Sequence, residues 1–394
     1  MASERPTALV LSPEAPYPLS GGGALRSASL IHGLARTHTV DLIVFREPGA
    51  PDPLVALPAG LVRRAHVIPL RPHARHFPAR AWRNLGRFAR GAPPLNDRFA
   101  GYEPLIRQAL GTIYDIAVVE HFWCAPYASL LRPHCRRLVL DLHNVESALH
   151  LGSAAAAGRL ESVLHRRFGA ALTALERAWL PAYDTVLAAS ASDASAITRI
   201  YSACHPLVYP NSIPFHPLPT AVQEPALVFS GNFQYYPNRT GAEFFFRKVW
   251  PLVVARWPGL RLRMVGRNPD AVRPMMEHPN IEFTGPVDDA IAEIARCSIA
   301  VVPLLSGSGT RVKILEAWAA GVPVVSTPIG AEGLISRSRE TLLLADTAAT
   351  FAGAIDRLME SPELRHSLAA AGRNLYEVEY TWEAAWKRLD AALG

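Results

Sequence analysis

The chain has 394 residues, 49% hydrophobic and 19% charged, an ordinary globular composition in too long a chain for one core, so two domains are expected. Its net charge of +6 points to an anionic partner, but zinc-finger spacing, aromatic-basic strands and lysine-rich tails are missing, which sets nucleic acid aside. No apolar run approaches the roughly 18 residues of a bilayer span, and the N-terminus lacks a signal-type apolar core, so a cytoplasmic protein is expected.

Strand-like apolar runs alternate with helical stretches along the whole chain. The first six lie at 8–13, 40–45, 65–70, 116–121, 137–143 and 185–190. Runs without polar alternation suit a parallel sheet covered on both faces, and their alternation with helices argues for right-handed βαβ units in a doubly wound α/β fold. After the first run comes "PYPLSGGGALRSASLIHGLA", where Gly21, Gly22 and Gly23 form a loop that a backbone can present to an oxyanion, with Arg26 in the first helical turn. It is neither GxGxxG nor a P-loop, and alone it reads equally as a tight turn.

Residues 71–99 hold Arg71, Arg75, Arg80, Arg83, Arg87, Arg90 and Arg98 against one acid, Asp97. Trp82, Leu85 and Phe88 fall at near-helical spacing, so an amphipathic helix docking on an anionic membrane at its inner face is expected. The alternatives are a solvated arginine-rich helix, or one gripping a soluble acidic acceptor. "VVEHFW" and "DLHNVES" end the fourth and fifth runs and place Glu120, His121, His143 and Asn144 at strand tips, where functional side chains collect. The stretch 209–226, with five prolines, reads as the linker between two α/β halves facing across a cleft.

The second half repeats the pattern, with runs at 226–232, 261–267, 281–285, 299–304 and 323–327. In "GSGTRVKILEAWAAGVPVVSTPIG", Ser308 and Gly309 let a ligand approach the backbone, Thr310 is placed to cap a helix, and Arg311 and Lys313 add positive charge at its start. Glu316 lies one turn in, placed to accept hydrogen bonds from hydroxyls. A nucleotide, which carries both a phosphate and a diol, accounts for both signs of charge; a capped helix with solvated cations is the plainer alternative. No Asp-x-Asp, HExxH or CxxC occurs, so no metal site is expected and no cofactor beyond the substrate. The four cysteines, Cys124, Cys135, Cys204 and Cys297, read as reduced thiols.

These motifs, with "VYPNSI" and "LVFSGNFQYYPN", resemble the retaining, nucleotide-sugar-dependent glycosyltransferases of family 4, in the branch that makes bacterial surface glycans. The resemblance implies the GT-B arrangement of two Rossmann-like domains. The expected boundaries are 1–215 for the acceptor domain and 216–378 for the donor domain, with a C-terminal helix, 379–394, returning to the first. It implies that Glu316 binds the ribose, Gly21 to Gly23 approach the donor diphosphate, His143 lies near the reacting sugar, and Gly285 to Val287 flank the base. There are two departures from the family pattern. Ser308 stands where the first signature glutamate belongs, and Asn232 and Arg239 stand in for a family Arg and Lys. Arg311 and Lys313 are therefore expected to supply the missing charge and to act as catalytic groups beside His143. The expectation is a metal-independent transferase acting on a glycan, lipid-linked or small-molecule acceptor, with Arg26, Glu120, His121 and Asn144 on the acceptor side. A nucleotide-sugar epimerase and a non-catalytic sugar-nucleotide-binding protein remain as alternatives.

Overall fold

The computed structural model describes residues 5–19, 21–73, 76–111, 113–156, 158–307, 311–334 and 338–393. The chain forms two compact units, 1–211 with 386–394, and 212–385. In the first, seven parallel strands are ordered β3-β2-β1-β4-β5-β6-β7: β1 Thr7–Ser12, β2 Thr39–Arg46, β3 Arg64–Pro69, β4 Tyr114–Glu120, β5 Cys135–Leu142, β6 Thr185–Ala188 and β7 Leu207–Val208. In the second, six strands run β10-β9-β8-β11-β12-β13: β8 Glu224–Ser230, β9 Arg261–Val265, β10 Ile281–Gly285, β11 Cys297–Val302, β12 Val324–Ser326 and β13 Leu343–Leu344. Leu9, Val10 and Leu11 are successive yet all buried. Successive side chains point to opposite faces, so both faces of the sheet are covered.

Aromatic side chains fill much of the second core, with Trp250, Trp318, Phe229, Phe233, Phe245 and Phe351 all fully buried. In the first unit, Gly33 lies against Trp386 and Leu389, and Trp386 Nε1 donates to the Ser29 carbonyl at 2.8 Å. The expected linker is not free chain. Ile213 N donates to Tyr380 O at 3.0 Å, Trp382 N to Ile213 O at 3.1 Å, and the Tyr376 hydroxyl to Pro214 O at 2.8 Å. These bonds tie 213–214 to 376–382, so the division falls at 211/212 and only 386–394, rather than all of 379–394, groups with the first unit. All four cysteines are free thiols. Among the described residues no helix is long and apolar enough to cross a membrane.

Candidate functional site

In the second unit β8 and β11 are neighbours, and the chain runs outward from them in opposite directions. Such a switch point leaves a crevice at the carboxyl edge of a parallel sheet. Glycine builds its floor. Gly231 follows β8 at φ 145 and Gly266 follows β9 at φ 134, and a Cβ on Gly266 would collide with the Gly231 carbonyl oxygen.

Asn238, buried at the start of the Tyr236–Phe244 helix, ties this turn to the next strand's exit. Its Nδ2 donates to Asn232 O at 2.8 Å, and its Oδ1 accepts from Lys313 Nζ at 2.6 Å. Lys313 also donates to Ser230 O at 3.1 Å, with its ammonium 4.9 Å from the Phe229 ring centre. Among the described residues no carboxylate comes within ion-pair distance of it. Desolvation pushes its pKa down to about 7, while Glu316 opposes and Arg311 adds to the fall. Glu316 lies one turn along the same Val312–Ala319 helix. Burial raises its pKa and Lys313 lowers it, and among the described residues no hydrogen bond reaches its carboxylate, although its carbonyl accepts from Ala320 N at 2.9 Å. A half-buried cation and anion, each without a close partner of opposite charge, suit a ligand carrying both an anion and hydroxyls.

The other donor-side expectations fare differently. Ser308, Gly309 and Thr310 lie outside the described residues; the helix starts at Val312, with Arg311 at the N-cap position. Arg311 is buried beneath Gly307, and its Nε and Nη2 donate to Ile329 O at 3.3 and 3.2 Å. It braces two loops, a different placement from the open cation expected. Asn232 Oδ1 accepts from Asn268 Nδ2 at 2.8 Å and from Gln234 N at 3.1 Å. Arg239 is exposed and lies over the Tyr236 ring, so the charge at the Gly231 turn comes from Lys313 instead. Gly285, at φ 73, accepts from Gly266 N at 3.0 Å, and Val287 is half-buried just beyond it.

The first unit has its switch point between β1 and β4. The Gly22–Ala35 helix begins after Gly21, which offers no side-chain cap, so its first-turn amides have no side-chain acceptor there. A Cβ on Gly23 would stand 2.8 Å from Glu14 Oε2 and 3.9 Å from His143 Nδ1. Gly23 thus admits both groups, whereas the space around Gly21 is open.

Arg26 corrects an acceptor-side expectation. Its fork holds Asp141 at 2.9 and 2.5 Å, its Nη1 donates to Tyr209 O at 2.6 Å and to Asn211 Oδ1 at 2.9 Å, and neither partner of the ion pair has exposed side chain. It is an internal strut. His143 Nε2 stands 3.5 Å from Asp141 Oδ2, too long for a good hydrogen bond, and burial lowers its pKa. The His121 ring lies tilted against His143 at 3.6 Å between ring centres and stacks on Trp123 at 4.2 Å. Both its ring nitrogens are buried without partners, and its backbone holds φ 60. A non-glycine residue there is strained, a feature that clusters at functional sites. Asn144 is half-buried just past His143.

Glu120 is fully buried. Desolvation first, and the charge of Asp141 second, push its pKa up to about 8. The Ser12 and Ser27 hydroxyls lie close enough to favour the ionised form slightly, yet neither carboxyl oxygen has a formed hydrogen bond. Glu146 is similarly raised to about 7 by burial. Although the sequence lacks a carboxylate pair, folding brings Glu120, Asp141 and His143 within 4.8 Å of one another. The trio is a poor metal site, because Arg26 already holds both Asp141 oxygens and Glu120 keeps its proton at neutral pH. No spacing in the sequence singles out Asn238, while Asp141 lies within "DLHNVES" and Glu14 just ahead of the glycine loop.

Within 71–99, Arg75 and the side chain of Arg80 lie outside the described residues. The helix spans Phe77–Arg90 and exposes Trp82 (74%) and Leu85 (58%), but Phe88 faces inward against Phe168. Several arginines serve the fold. Arg98 is bidentate to Glu47 at 3.0 and 2.6 Å, Arg87 Nε bonds Asp97 at 2.7 Å, and Arg71 donates to Gly101 O at 2.8 Å. The apolar stripe is therefore narrower, and the free charge smaller, than the sequence suggests.

Residues 224–361 match the family described as "Glycosyl transferases group 1". The GDP-mannose-dependent monoacylated alpha-(1-6)-phosphatidylinositol monomannoside mannosyltransferase of Corynebacterium glutamicum is 28% identical over 155 residues, 36% of this chain and 41% of that protein. The chain spans about two-fifths or less of the length of the curated relatives it matches. Solved structures similar over nearly the whole chain include sucrose-phosphate synthase from Thermosynechococcus elongatus, with a TM-score of 0.69, 20% identity and 98% of both chains covered. Another is Anabaena HepE in complex with UDP-glucose, with a TM-score of 0.62, 14% identity, and 98% of this chain and 99% of that one covered. At these identities the likeness establishes the fold, two Rossmann-like sheets of the GT-B kind.

Proposed function

We propose, from the premise that this chain belongs to the group 1 glycosyl transferases through residues 224–361, that it moves a sugar from a nucleotide-diphosphate sugar to an acceptor. The observation that carries this is Lys313 and Glu316 at the β8/β11 switch point, each without a close partner of opposite charge. Lys313 meets the diphosphate and Glu316 the ribose hydroxyls. The mannosyltransferase relative is by name GDP-mannose-dependent, and the HepE structure holds UDP-glucose; both support a nucleotide sugar as donor.

The first unit takes the acceptor, with His143 orienting the sugar and His121 holding the His143 ring. Transfer proceeds with retention and without a metal: Lys313 and backbone amides stabilise the departing diphosphate, and the acceptor hydroxyl attacks on the face it leaves. Exposed Trp82 and Leu85, with Arg90 on the same helix, suit an anionic membrane and a lipid-linked glycan acceptor met at the cytoplasmic face.

The test is a thermal-shift series with GDP-mannose, UDP-glucose and other nucleotide sugars, followed by turnover with the donor that binds. A donor at about a hundred times its Kd adds roughly 2.7 kcal/mol of stability. The protein should respond to one nucleotide class, and Glu316→Ala should lose the response. No response to any nucleotide sugar would end the proposal. Ser308, in place of the first signature glutamate, favours a second reading, a non-catalytic binding protein, which donor binding without turnover on any acceptor would support.

A further inference from the structure

The start of the Gly22–Ala35 helix carries a carboxylate that the proposed chemistry does not use. Ser12, fully buried at the end of β1, accepts from Glu14 N at 3.4 Å and donates to Glu14 O at 2.7 Å, which fixes the backbone from which the Glu14 side chain leaves. Glu14 is exposed, and its Oε2 stands 2.8 Å from the point that a Cβ on Gly23 would occupy. His143 is 6% exposed, and its Nδ1 faces the same point at 3.9 Å. The other ring nitrogen, Nε2, is buried and faces Asp141 Oδ2 at 3.5 Å. Arg26 holds both Asp141 oxygens and so keeps that carboxylate charged. Glu120 lies within 4.8 Å of this pair but forms no hydrogen bond with either.

A carboxylate facing Nε2 repels a lone pair and favours a proton there, so neutral His143 keeps its lone pair on Nδ1. Two acceptors therefore converge over Gly23, one of them a carboxylate, and among the described residues neither receives a hydrogen bond. The donors beside them are the first-turn amides, which have no side-chain cap. A phosphoryl group only accepts hydrogen bonds and would set a second anion against Glu14. A hydroxyl donates to an acceptor and accepts from an amide at once. We infer that Glu14 is a specificity-determining residue: with His143 Nδ1 it makes the space over Gly23 a subsite for a sugar hydroxyl and closes it to phosphate. A glycine loop at a helix start suggests the opposite by itself. Asp141 is the positioning residue, acting through the His143 tautomer. That the sugar is a substrate rests on the transferase proposal; the preference for a hydroxyl does not. The hydroxyl belongs either to the transferred sugar or to the acceptor.

Two binding measurements on the full chain test the subsite and identify the source. Calorimetry compares GDP-mannose with GDP, and UDP-glucose with UDP. If the hydroxyl belongs to the transferred sugar, Glu14→Ala should weaken the nucleotide sugar by about tenfold or more, the usual cost of losing a charged acceptor, and leave the bare nucleotide unchanged. Saturation-transfer NMR with methyl α-mannoside and methyl α-glucoside, without nucleotide, covers the acceptor. If the hydroxyl is the acceptor's, the wild-type signal should vanish in Glu14→Ala while nucleotide-sugar affinity stays the same. Glu14→Gln keeps an acceptor oxygen and should retain most of the binding in either arm. Equal loss of nucleotide and nucleotide sugar, no effect of Glu14→Ala in either arm, or tighter GDP or UDP binding by Glu14→Lys would overturn the subsite. Nitrogen NMR shifts of the wild type, assigned with His143→Gln, should show a protonated Nε2 and a bare Nδ1. A proton on Nδ1 would overturn the role of Asp141, without a variant that leaves Arg26 buried and unpaired. A wild type that binds a methyl glycoside through Glu14 but no nucleotide sugar would end the transferase proposal and leave this subsite standing.

Discussion

Replacing Glu120 by glutamine should stabilise the protein in an amount that grows with pH. In the folded chain burial and Asp141 hold the Glu120 carboxyl at a pKa of about 8, against an ordinary 4.5. The folded state therefore keeps a proton that the unfolded chain releases above pH 4.5. A raised carboxyl pKa favours folding only below the unfolded value, and that advantage is lost steadily as pH rises to about 8, then stays lost. At pH 7.5 the difference is about three pH units, or roughly 4 kcal/mol. Glutamine matches the neutral acid in shape and has no charge to lose, though its amide adds donors that must find partners. Allowing for that, Glu120→Gln should gain about 2–4 kcal/mol at pH 7.5 and almost nothing at pH 4.5. Urea titrations across pH 4.5–9, taking the transition of the first unit by itself, give the comparison. A residual slope with pH is expected from Glu146, whose raised pKa of about 7 acts in the same direction. Equal stability of the two proteins at pH 8, or a gain independent of pH, would falsify the claim that Glu120 is buried as a neutral acid.

Glu316→Ala should leave the fold intact and weaken donor binding by about 2–3 kcal/mol, the usual cost of losing a charged acceptor; unchanged donor affinity by calorimetry would contradict the ribose assignment. Donor affinity should fall as pH rises above 7, because Lys313, with its pKa of about 7, must be protonated to hold the diphosphate. A flat affinity from pH 6.5 to 9 would rule that out, and Lys313→Arg should abolish the slope. Gly266→Ala should destabilise the second unit by about 3 kcal/mol or more, since the new Cβ would strike the Gly231 carbonyl at a φ that L-residues avoid; a urea midpoint within error of wild type would disagree. Turnover should survive EDTA, and loss of activity restored by magnesium or manganese would overturn the cationic leaving-group role of Lys313.

Strand placement was legible in the chain because a parallel sheet covered on both faces demands continuous β-branched and aliphatic runs. All eleven such runs became strands. The two strands the sequence concealed, Leu207–Val208 and Leu343–Leu344, are too short to carry a pattern. The positions of Gly23, His143, Lys313 and Glu316 were also legible, since each stands where a strand hands over to a helix. Their partners were not. Arg26 looked like a ligand contact in its helix's first turn, but sheet order puts Asp141, 115 residues away, against its fork. Lys313 looked like one of a cationic pair, but Asn238, 75 residues earlier, holds it at the Gly231 turn while Arg311 turns under Gly307. Phe88 matched the spacing of Trp82 and Leu85, yet its neighbour Phe168 decided which way it faces. Charge state belongs to the same class. A carboxyl beside Asp141 with no exposed surface is neutral at pH 7, and one in water is not, so Glu120 owes its proton to burial that only long-range pairing of strands creates.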